Sequence, residues 1–119
     1  MSTEIRPLDQ LQLTIRQRKA AGDAGNSYTA KLLAAGVSKI GAKITEEAAE
    51  VVEAAAEPGE AGRKHVVAEA GDLIYHLLVL LTARDIELAD VEAELARRFG
   101  VSGIAEKASR DPDSSSIER

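Results

Sequence analysis

"KITEEAAEVVEAA", residues 43–55, sets Glu46, Glu47 and Glu50 into a stretch whose apolar positions recur as in a buried helix. On a wheel of about 100° per residue, Ile40, Ile44, Ala48, Val51 and Ala55 form one apolar face. Glu47 falls just inside the edge of that face, with Lys43 and Glu50 beside it. The same conflict returns in "AEAGDLIYHLLVLL", residues 68–81, where Glu69, Asp72 and His76 make one stripe of an otherwise apolar helix. Both segments have helical period, and no stretch of the chain alternates with period two. The fold class is therefore all-α, a bundle of about five helices.

Working outward, Pro7 suits the first turn of a helix that carries Leu8, Leu11 and Ile15 and ends in "RQRKAAG" at Gly22. "GDAGN" is a turn, and Asn26 or Ser27 caps a short helix, "SYTAKLLAAG", that stops at Gly36. The third helix runs from about Val37 to about Ala56, where "EPGEAG" breaks it. The fourth is expected from about Arg63 to about Arg84. The fifth carries Leu88, Val91 and Leu95 and ends at Gly100. Residues 1–110 read as one domain. The polar tail "DPDSSSIER", residues 111–119, is expected to be disordered.

Composition narrows the function. A chain of 119 residues can bury a core, and its Ala, Leu, Glu, Lys and Arg outweigh its aromatic residues. It has no cysteine, so disulfides and thiolate metal sites are excluded, which fits a reducing cytoplasm. The first ten residues lack the apolar core of a signal peptide, and the longest apolar run, 77–81, is too short to span a bilayer. A soluble, cytoplasmic protein without membrane partners is expected. A net charge of −5 opposes binding to nucleic acid. A small anionic ligand would need a metal ion or a local group of Lys and Arg.

Residues three or four apart on a helix are neighbours, so Glu46 and Glu47 each lie beside Glu50, and Glu69 lies beside Asp72. One reading is a solvated helix face with Lys39 and Lys43 as ion-pair partners. Against it, a solvated face should not share its stripe with the core, since a partly buried carboxylate is costly unless paired. Antiparallel packing of the third and fourth helices would bring the acids together, an arrangement untenable without a cation. Oxygen ligands of this kind suit Mg2+.

The spacing E-E-x-x-E, eighteen residues, E-x-x-D resembles the signature of the all-α (MazG-like) nucleotide pyrophosphohydrolase superfamily. In order, "SYTAKLLAAG" (27–36), "KITEEAAEVVEAA" (43–55), "EAGDLIYHLLVLL" (69–81) and "RRFGVSGIAEKASR" (97–110) resemble the motifs of the phosphoribosyl-ATP pyrophosphohydrolase family. Thr45 and Gly71 depart from the glycine and alanine common there, without removing an acid. The resemblance implies Mg2+-dependent conversion of phosphoribosyl-ATP to phosphoribosyl-AMP and pyrophosphate, the second step of histidine biosynthesis. It also implies that Glu47, Glu50, Glu69 and Asp72 hold the ion. Glu46, on the outer side of Glu50, is the candidate for water activation or a second ion. Lys31, Lys39, Lys43, Lys107 and Arg110 are the cations embedded in the motifs and the candidates for substrate phosphates. Ser27 and Thr29 are expected as caps, His76 as a hydrogen-bonded core residue, and Tyr75 as core or interface. The fourth helix is apolar on more sides than one chain can cover, so a homodimer is expected, as the resemblance also implies. The alternatives are a related enzyme acting on a free nucleotide such as dCTP or dUTP, and a non-catalytic helical interaction module.

Overall fold

The computed structural model describes residues 5–22 and 27–99. Among them are five helices and no strand: α1 (Pro7–Ala21), α2 (Tyr28–Ala35), α3 (Val37–Ala55), α4 (Gly59–Ala83) and α5 (Leu88–Phe99). The expected loop and tail beyond residue 99 lie outside the described residues, as do Lys107 and Arg110.

The first helices begin and end as their local chemistry dictates. Pro7 opens α1, where its missing N–H costs nothing. Ser27 caps α2, its Oγ accepting from the Ala30 N–H at 3.0 Å. Gly36, at φ 98°, ends α2 and starts α3 in one residue, a conformation that side-chain-bearing residues avoid.

The hinge between α3 and α4 corrects the sequence reading. The whole of "EPGEAG" was expected to lie outside helix, yet α4 begins at Gly59, a full turn before Arg63. Only residues 56–58 connect the two helices, with Pro58 as the N-cap. Glu60 and Ala61 favour helix, and Gly62 is not a breaker. It is buried where α4 passes the end of α3, and a Cβ there would collide with the Glu57 carbonyl.

So short a link between two long helices makes an antiparallel hairpin, and α3 and α4 have the most extensive pairing in the fold. α1 and α2 pack on it. Ile15 of α1, Leu32 of α2, Ile40 of α3, and Leu78 and Val79 of α4 form the core, flanked by Leu11, Leu33, Ile44 and Leu81. Full burial of each such side chain is worth about 1.5–3 kcal/mol. Gln12 of α1 holds the segment that follows α4, its Nε2 donating to the Ile86 carbonyl at 3.4 Å and its Oε1 accepting from the Leu88 N–H at 2.9 Å. By length and composition α4 could cross a membrane, but it carries Glu69 and Asp72 in its middle and contacts α1, α2 and α3.

Compact packing divides the chain after Leu88, so α5 is described by itself. Its Glu94 accepts from Arg97 at 2.8 Å and from Arg98 at 3.0 Å, and these bonds pull its carboxyl down to about 2.

Candidate active site

The α3–α4 hairpin gathers the acids. Glu47, Glu50 and Glu69 each contribute a carboxylate oxygen to a group whose members all lie within 4.8 Å of one another. Glu47 is deeper than expected. It was placed at the edge of the apolar face, but it is 8% exposed, among the buried residues of α3 with Ile40 and Ala54. The inward seam runs Ile40, Ile44, Glu47, Val51, Ala54, alternating steps of four and three, and Ala55 is exposed. A carboxylate thus occupies the centre of a core seam.

Two buried oxygens in this group, Oε1 of Glu47 and Oε1 of Glu69, have no hydrogen-bond partner. Such groups are rare, because desolvation is not repaid. Glu50 approaches Glu69 within hydrogen-bonding reach, and this contact, followed by burial and the nearby Glu47 charge, raises the Glu50 carboxyl above its ordinary value. Two carboxylate oxygens this close repel unless a proton or a cation lies between them. The donor set is all oxygen, anionic and partly desolvated. It fits a hard divalent cation.

Asp72 does not join the three. It stands one turn beyond Glu69 with its side chain exposed, and its carbonyl is engaged by His76 Nδ1 at 2.9 Å. Since that carbonyl can only accept, Nδ1 carries a proton, and Nε2 meets the Tyr28 hydroxyl at 3.1 Å. His76 is buried, as expected of a hydrogen-bonded core residue. Its ring meets Tyr75 edge-on at 4.9 Å and Tyr28 at 6.0 Å. Thr29 is no cap: its hydroxyl pairs with that of Tyr75, which burial pushes up in pKa.

Glu46 points outward and pairs with Lys43 Nζ at 3.2 Å, a bond that holds the Lys43 ammonium above its ordinary range. The pair is spaced i,i+3 on the helix. Lys31 and Lys39 are exposed on α2 and the first turns of α3.

A cavity of about 440 Å³ lies elsewhere, lined by Arg16, Lys19, Thr82, Asp85, Ile86 and Glu87. Its cations already have partners, Arg16 with Glu87 at 2.6 Å and Lys19 with Asp85 at 2.8 Å. With both charges neutralised it is a poor receptor for a polyphosphate.

The model of a known family, phosphoribosyl-ATP pyrophosphohydrolase, matches residues 8–99, a span that includes the whole acidic hairpin. The chain belongs to this family. Curated relatives named phosphoribosyl-ATP pyrophosphatase agree along nearly their full length. That of Rhodopirellula baltica is 55% identical over 110 residues, covering 92% of this chain and 91% of the relative. That of Novosphingobium aromaticivorans is 54% identical over 103 residues, 87% of this chain and 92% of the relative. That of Dinoroseobacter shibae is 53% identical, with 87% and 97% covered.

Within the family span, one polar residue beside the acids escaped the sequence reading. His65 Nδ1 lies 3.0 Å from both carboxylate oxygens of Glu57, and its Nε2 lies 3.2 Å from Glu69 Oε2. The Glu57 bond, more than that of Glu69, raises the His65 pKa. The spacing of His65 and Glu69, four residues on one helix, was the available signal.

Proposed function

We propose that this protein hydrolyses phosphoribosyl-ATP to phosphoribosyl-AMP and pyrophosphate in a Mg2+-dependent reaction, the second step of histidine biosynthesis, as a cytoplasmic homodimer. The observation that carries the reading is the acidic group Glu47, Glu50 and Glu69 set inside the span matched by the family model.

Glu47, Glu50 and Glu69 are the residues that would hold the ion, with Asp72 as the fourth ligand one turn from Glu69. When bound, Mg2+ supplies positive charge to the phosphate oxygens and the pyrophosphate leaving group. The rest falls to the chain's own side chains. Burial of Glu47 in the seam it shares with Ile40 and Ala54 restricts its carboxylate and keeps water from one side of the site. Glu46, paired with Lys43 at the rim, is the candidate to accept a proton from the attacking water or to meet a second ion. Lys43, Lys39 and Lys31, and Lys107 and Arg110 beyond the described residues, are the candidate donors to substrate phosphates.

The net charge of −5 opposes binding to nucleic acid, and the partner in this reading is a single nucleotide. Measuring pyrophosphate release from phosphoribosyl-ATP, dCTP and dUTP, with and without Mg2+, tests the assignment. Preferential, Mg2+-dependent turnover of phosphoribosyl-ATP is expected. Equal or faster turnover of dCTP or dUTP would leave only a general nucleotide pyrophosphohydrolase, and release from none of them would remove the enzymatic reading.

A further inference from the structure

We propose that His65 is a positioning residue of the acidic site, held through Nδ1 by Glu57 and presenting Nε2 to Glu69 so that the Glu69 carboxylate keeps one orientation. The inference rests on the reading of the acidic group as a divalent-cation site, and adds a residue that acts on it from outside.

Three observations carry it. First, the imidazole is fixed at both ends, 3.0 Å from each Glu57 oxygen and 3.2 Å from Glu69 Oε2. Second, the contact uses Oε2 of Glu69 and leaves the buried Oε1 without a partner, so the bridge orients the carboxylate without occupying its second oxygen. Third, the anchor is itself placed by the backbone. Gly62 lets α4 pack directly on the Glu57 carbonyl, which sets the turn carrying Glu57 against the helix carrying His65 and Glu69.

A glutamate has several rotatable bonds, and a carboxylate beside two others is pushed to swing away. Partners just outside a metal-binding carboxylate commonly set both its orientation and the affinity of the site. His65 Nε2 lies within bonding distance of Glu69 Oε2, and its half-exposed side chain has no part in the hydrophobic core.

Mn2+ titration calorimetry on the full chain without substrate, comparing wild type with His65→Ala, His65→Gln, His65→Asn and Glu50→Gln, tests the proposal. The amide nitrogen of glutamine can stand where Nε2 stands, and that of asparagine where Nδ1 stands. Only the glutamine variant preserves the bond to Glu69. We expect His65→Ala and His65→Asn to weaken Mn2+ binding by about tenfold, with His65→Gln retaining most of the affinity. In Mg2+ dependence of turnover, His65→Ala and His65→Asn should raise the Mg2+ concentration needed for half-maximal rate while kcat at saturating Mg2+ stays near wild type. Unchanged or tighter binding by His65→Ala overturns the proposal, as does a glutamine variant as weak as the alanine one. Glu50→Gln separates the two levels. If it binds Mn2+ as wild type does, or wild type binds none, the acidic-site reading fails and the His65 inference with it. If wild type binds and Glu50→Gln does not, the His65 series judges His65 alone.

Discussion

Glu50 is where charge repulsion is most visible. Its carboxyl is raised by the contact with Glu69, by burial and by Glu47. A carboxyl whose folded pKa exceeds its unfolded value, here 4.5, binds its proton more tightly in the folded state. The stability it contributes is complete below pH 4.5 and is lost as pH rises through the raised folded value. Glu50→Gln keeps the shape and removes the charge. In EDTA, the variant should melt above wild type at neutral pH, and the difference should shrink as pH falls toward 4.5. Turnover should be abolished. Mg2+ should raise the melting temperature of wild type, because the ion binds only the folded ligands, and should raise that of Glu50→Gln much less. Thermal melts in EDTA and in millimolar Mg2+, at several pH values, check each part. A missing Mg2+ effect on wild type would return these acids to a solvated helix face.

At the scale of the element, α3 carries a carboxylate in a position that its own packing would give to leucine. Burying an unsatisfied carboxylate oxygen costs about 1–3 kcal/mol, and Glu47 Oε1 is such an atom. Glu47→Leu should therefore stabilise the metal-free protein by about 1–3 kcal/mol in urea unfolding, while eliminating activity. Stability traded for a site is a common condition of active centres. The start of α4 makes the opposite point. Gly62→Ala adds one methyl group against the Glu57 carbonyl, backbone that cannot swing aside as a side chain would. It should destabilise by about 1–3 kcal/mol, measured by the same unfolding, although alanine is the better helix former.

These two helices also mark what the sequence made legible. The period of Ile40, Ile44 and Val51 sufficed to find α3 and place Glu47, Glu50 and Glu69 on facing helices, since hydrophobic spacing is a local property. The choice between Ala54 and Ala55 as the inward residue was not legible. On the wheel both border the stripe, and the small rotation that selects Ala54 is set by packing against α4. The role of Gly62 was hidden because close backbone approach leaves the same mark in a sequence as a helix break. The His65 bridge depends on where residues 56–58 turn the chain, and no propensity records that.

At the scale of the molecule, α4 leaves apolar surface uncovered. Val67, Ile74 and Leu77 are 62%, 38% and 43% exposed, and steps of seven and three keep them on one stripe, with half-buried Ala70 and Leu81 between and beyond them. Val52 of α3 adds another exposed residue at 70%. Single exposed apolar residues are ordinary, but a stripe continuing for several turns of a long apolar helix suits association. A second copy of the chain supplies an equally apolar stripe, and a two-fold axis would set each against the other. Each such side chain, fully buried, would contribute about 1.5–3 kcal/mol, enough in combination to hold a dimer at micromolar concentration. Sedimentation equilibrium of wild type should give twice the chain mass. Ile74→Glu and Leu77→Glu each place a charge on the stripe without touching the acidic group, and the double variant should sediment as a monomer while remaining helical by circular dichroism. A wild-type monomer at tens of micromolar would mean that this stripe is tolerated by solvent, and a double variant that still dimerises would move the interface to another face.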